Sequence, residues 1–106
     1  MKTYRQGDVL IRQVNEIPSQ AKAKKNVGRI VLAYGEVTGH AHAIAEPQAK
    51  EFTMEQADNT VRRFLEVASG ADVKHEEHAT IQLPPGFYEI VQQREYTPEA
   101  IRNVAD

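Results

Sequence analysis

Short apolar runs, broken by turn residues roughly every ten positions, give this chain the pattern of an all-β fold. Val9–Val14 follows the turn-forming pair Gly7-Asp8 and reads as a strand. Val9, Ile11 and Gln13 share one face of it; Leu10, Arg12 and Val14 share the other. Ile17-Pro18 ends that strand. Residues 19–28 carry Lys22, Lys24 and Lys25 with little apolar content, which predicts an exposed loop. Arg29–Tyr34 is a continuous apolar run between Gly28 and Gly35, the pattern of a strand buried on both faces. Residues 35–39 then turn the chain, because glycine reaches backbone angles closed to other residues. Extended structure resumes over 40–44.

Residues 51–55 and Val61–Val67 flank Asp58-Asn59 and predict a hairpin. A helix over 52–66 is opposed by Asp58-Asn59-Thr60 at its middle. After a turn at Ala68-Ser69-Gly70, residues 72–75 form a short strand and 78–83 another, with Ala79, Ile81 and Leu83 inward. Pro84-Pro85-Gly86 turns the chain into 87–91, which predicts a second hairpin. Thr97-Pro98 carries a helix-start signal, so the tail is a helical turn or an extended segment docked on the sheet. The expected fold is a small single-domain barrel or sandwich over 1–106, with seven or eight short strands.

Composition narrows the chemistry. A chain of 106 residues has room for one modest core. A net charge of −2 provides no basic field for nucleic acid. The absence of cysteine excludes disulfides, thiol catalysis and thiolate metal sites. No apolar run approaches the roughly 20 residues that cross a bilayer, and the N-terminus has no apolar signal core. A cytoplasmic protein without membrane attachment is expected.

All four histidines fall in two short segments, Gly39-His40-Ala41-His42 and His75-Glu76-Glu77-His78. On a strand His40 and His42 point the same way, which makes a bidentate pair. His75 and His78 are three apart, so a turn or bulge at Glu76-Glu77 must bring them together. Imidazole suits zinc, iron, manganese or nickel. Four histidines close a structural site; three plus water leave a catalytic position. Glu36, Glu46, Glu76 and Glu77 are candidate further ligands or acceptors, with Glu36 and Glu77 the candidate general bases. A hydrogen-bonded cluster without metal, or unrelated surface histidines, are the plainer alternatives.

The spacing Gly35-x4-His40-x-His42-x3-Glu46 resembles the first metal motif of the cupins, in which two histidines and a glutamate hold a metal inside a β-barrel. The glycine spacing is one residue short. The Pro-x-Gly that precedes the second cupin motif's histidine here follows His75 and His78. Over nearly the whole chain, Gly7-Asp8-Val9-Leu10, the two histidine segments, Leu83-Pro84-Pro85-Gly86 and Gln93-Arg94-Glu95-Tyr96 resemble a family of small bacterial and phage proteins to which no activity is attached.

Arg94 and Tyr96 share a strand face and could grip a polar ligand through the guanidinium; a cross-strand ion pair beside a half-buried tyrosine is the structural alternative. Three functions stay open at this level. One is a cupin-like metalloenzyme. Another is a small-molecule or protein binding module, a homo-oligomer whose metal is structural. The third is an interaction protein without metal.

Overall fold

The computed structural model describes residues 2–26, 28–34, 40–45 and 47–92. Within them the alternating pattern becomes ten strands and no helix, so no helix is long and apolar enough to cross a membrane. The strands are β1 (Thr3–Gln6), β2 (Val9–Val14), β3 (Lys22–Lys24), β4 (Arg29–Tyr34), β5 (Ala41–Ala45), β6 (Ala49–Glu55), β7 (Val61–Val67), β8 (Ala71–Lys74), β9 (Ile81–Leu83) and β10 (Gly86–Gln92). All pairings are antiparallel. One sheet runs β1-β2-β10-β7-β6-β3 and the other β4-β5-β8-β9. The two are not closed into a barrel, so of the two expected architectures the chain adopts the sandwich.

One core joins the sheets. Val9, Ile11, Leu65, Val67, Tyr88 and Ile90 face it from the large sheet; Ile30, Leu32, Ile44, Val73 and Leu83 face it from the small one. These are the alternate positions of each strand, as the period of two requires. The expected strands at 9–14, 29–34 and 61–67 have the expected ends, and the Asp58-Asn59 hairpin forms with Asn59 at φ 68°.

Four expectations are corrected. Two further strands exist, β1 and β3; β3 is the lysine segment expected to be a loop, and it pairs with β6 through Lys22↔Thr53 and Lys24↔Glu51. The second hairpin does not form. β9 pairs with β8 in the small sheet, while β10 lies between β2 and β7 in the large one. Pro84-Pro85-Gly86 therefore carries the chain from one sheet to the other, held by the Tyr88 hydroxyl donating to the Pro84 carbonyl at 2.5 Å. Ala79 lies outside β9 and is exposed rather than inward.

β4 is an edge strand rather than one buried on both faces. Its ladder with β5 slips between Val31 and Ala33, a bulge at Leu32. The extra residue turns both Leu32 and Ala33 toward the core, which explains the unbroken apolar run. The bulge also leaves two successive carbonyls, Val31 and Leu32, accepting from the Arg63 guanidinium at 2.7 and 2.6 Å. Arg63 thus ties the free edge of β4 to β7, and its Nε donates to the buried Glu51 at 2.7 Å. The expected turn at 35–39 and the tail beyond Gln92 lie outside the described residues.

Candidate metal centre

The pairing of β5 with β8 explains why the two histidine segments meet. Ala43 sits opposite Lys74 and Ile44 opposite Val73. Continuing that antiparallel register sets His42 against His75, Ala41 against Glu76 and His40 against Glu77. The side chains follow it. The His42 and His75 rings lie 4.3 Å apart, the Ala41 N–H donates to Glu76 Oε1 at 2.9 Å, and His40 Nδ1 stands 3.4 Å from Glu77 Oε1.

His75 and His78 occupy the connection from β8 to β9, which bends at 76–78 and brings their rings to 4.6 Å, as the spacing required. His78 lies 5.7 Å from His42, and His40 the same distance from His75. All four imidazoles form one cluster at the end of the small sheet.

A third segment closes the cluster from the large sheet. The β1–β2 turn presents Gly7 with φ +60° directly against the rings; a Cβ there would lie 3.1 Å from both His42 Cε1 and His78 Nε2. Only glycine combines that left-handed backbone with so close an approach. Before it, Gln6 is 2% exposed and points inward. Its amide nitrogen donates to the carbonyls of Val73 and Ala79 at 3.0 and 2.9 Å. That orientation leaves its oxygen toward His42 Nδ1 at 2.8 Å. An amide oxygen can only accept, so the proton of neutral His42 is assigned to Nδ1 and the Nε2 lone pair is free to face the cluster. Burial, and then the nearby His75, lower the His42 pKa and favour that neutral form, against a smaller opposing pull from Asp8. This is the support a metal-binding imidazole commonly receives.

Asp8 follows in the same turn, with Oδ1 3.7 Å from His42 Nε2. That separation is too long for a hydrogen bond. It is close to the roughly 3.4 Å between two ligand atoms on a tetrahedral ion with bonds of about 2.1 Å.

On the outer side, ligand atoms of His40, His75 and Glu76 all lie within 4.8 Å of one another. His40 Nδ1 is buried and has no hydrogen-bond partner. Glu76 is held ionised chiefly by the Ala41 N–H, and its carboxylate keeps further lone pairs for a cation. His75 Nδ1 accepts the Glu77 N–H at 3.0 Å.

Of the expected residues, His40, His42, His75, His78, Glu76 and Glu77 are brought together. Glu36, Glu46, Arg94 and Tyr96 lie outside the described residues. Sequence inspection missed Gln6, Gly7 and Asp8. Gly7-Asp8 was legible as a turn, but nothing local told where that turn would lie.

The molecule is thus an all-β sandwich with a histidine and carboxylate cluster where three connections meet. It belongs to the DUF8820 family, a domain of unknown function whose family model matches residues 5–93, from before Gln6 to beyond His78. No curated protein and no solved structure matches the chain.

Proposed function

We propose that this chain binds one divalent transition-metal ion, of the set zinc, iron, manganese or nickel, at the histidine cluster. The observation that carries the proposal is the buried Nδ1 of His40, which makes no hydrogen bond and has Glu77 Oε1 at 3.4 Å, within a group of three potential ligands. Burying a polar atom without a partner costs about 1–3 kcal/mol, and a bound cation removes that cost. His40, His75 and Glu76 would be the first three ligands. His42, its lone pair exposed by Gln6, stands ready as a further ligand beside His78 and Asp8. An ion taken by His75 Nδ1 would replace the Glu77 N–H.

The divalent ion would supply Lewis acidity and a bound water of lowered pKa. Glu76, Glu77 and His78 are exposed, so solvent and a small substrate can reach the site from that side. Glu77, beside His40, is then the candidate base. The second reading is a homo-oligomeric binding module whose ion is structural; it draws on the gathering of four imidazoles, enough to saturate a tetrahedral ion.

Metal analysis of protein purified without a nickel column tests the proposal, together with titration of the chelator-treated protein. The expected result is one ion per chain, lost in His40→Ala. Metal-free protein whose melting is unmoved by zinc, manganese, iron(II) or nickel would overturn it. X-ray absorption of the loaded protein then separates the two readings: a water oxygen on the ion supports catalysis, and four nitrogens without water support the structural role.

A further inference from the structure

A concavity of about 410 Å³ opens against β4. That volume falls within the roughly 300–1,000 Å³ usual for small-molecule sites. Its polar lining is Lys24, Asn26, Arg29, Tyr34 and Arg63, and its aliphatic lining comes from β4. No acidic residue is among the described residues that line it.

The cations there are of two kinds. Arg63 is fixed by Glu51 and by the Val31 and Leu32 carbonyls. Three of its five N–H groups are used, which leaves two directed donors on a guanidinium that cannot swing away. Lys24 and Arg29 are exposed, and neither makes an ion pair with a described residue. The Arg63–Glu51 pair is neutral as a unit, so among the described residues that line the cavity Lys24 and Arg29 leave a net positive field, on a chain of net charge −2. Tyr34 stands 72% exposed, a flat aromatic face that nothing among the described residues covers.

We propose that this cavity binds a small molecule carrying an oxyanion, phosphate or carboxylate, attached to a planar ring. Lys24 and Arg29 take the oxyanion, the remaining Arg63 N–H groups fix its orientation, and the ring lies on Tyr34. The site does not depend on an ion at the histidine cluster, since none of its residues belongs to that cluster.

The test is an amide-resolved NMR titration of the full chain with inorganic phosphate, adenosine monophosphate, adenosine and benzoate. Saturable shifts at Asn26, Arg29–Tyr34 and Arg63 are expected with adenosine monophosphate or benzoate, and weaker ones with phosphate. Adenosine, which lacks an oxyanion, should bind about tenfold more weakly or worse. Lys24→Ala/Arg29→Ala, two exposed changes, should weaken the anions by about tenfold with the fold intact. Tyr34→Ala should weaken only the ring-bearing probes. The proposal is overturned by no saturable shift at these residues up to about 10 mM, well past half-filling of a millimolar site. It is equally overturned by binding that survives the double substitution unchanged.

Discussion

Replacing Gln6 with leucine removes the most buried polar support of the histidine cluster at nearly constant volume. Three hydrogen bonds of 2.8–3.0 Å disappear together. Ala79 is exposed, so its carbonyl turns to water. Val73 and His42 are 0% and 2% exposed, so the Val73 carbonyl and the His42 Nδ1–H are stranded. At about 1–3 kcal/mol for each stranded group, and with about 1 kcal/mol returned by burying leucine in place of an amide, the expected loss is about 1–5 kcal/mol. That is a large share of the roughly 5–15 kcal/mol holding a domain together. Urea unfolding of the chelator-treated variant reads it directly as a lower midpoint at unchanged slope. The same change frees the His42 ring to rotate and exchange tautomers, so affinity for zinc should fall by about 10–100-fold. A destabilisation under about 1 kcal/mol would refute the hydrogen-bond assignment. Unchanged zinc affinity in a folded variant would remove His42 from the ligand set.

Further outcomes follow from the same geometry. Gly7→Ala should cost about 1–2 kcal/mol through its left-handed backbone and also lower zinc affinity by displacing His42 and His78. Gly28→Ala, at φ +79° with nothing within 4 Å among the described residues, should show the backbone cost alone in thermal melts and leave zinc affinity unchanged. Arg63→Met should cost about 3–5 kcal/mol, because Glu51 is 1% exposed and would keep a buried charge; adding Glu51→Leu should recover much of that in denaturant unfolding. Glu89, gripped by Arg62 and then Arg12, has its pKa lowered from 4.5, so the folded state releases its proton more readily than the unfolded chain. Its stabilisation is complete above about pH 4.5 and fades as pH falls through the lower folded value; Glu89→Gln should flatten the acid limb of a stability–pH curve. Zinc affinity should fall as the solution is made more acidic, because protons compete with the ion for nitrogen lone pairs, and a titration series across pH 5–8 would show it.

What the sequence determined by itself was whatever depends on nearest neighbours. Period-two alternation delimited β2 and β7, glycines bounded β4, and Asp58-Asn59 made its hairpin, because each is settled by sterics over a few residues. The residue types of the metal candidate were equally plain, since every histidine lies in two segments. The tertiary structure decided the rest through pairings that local patterns do not encode. Pro84-Pro85-Gly86 announced a reversal but not which sheet the next strand would join. β1 and β3 are short strands at the edges of their sheet, too brief and too polar to declare themselves. The run at β4 could mean two buried faces or one face and a bulge, and only the ladder with β5 chose. The convergence of His40 and His42 with His75 and His78 came from the β5–β8 register, and Gln6, Gly7 and Asp8 joined them from the opposite sheet. Such contacts close loops of 30 residues or more, and their energy depends on which surfaces meet when the core is buried rather than on any periodicity along the chain.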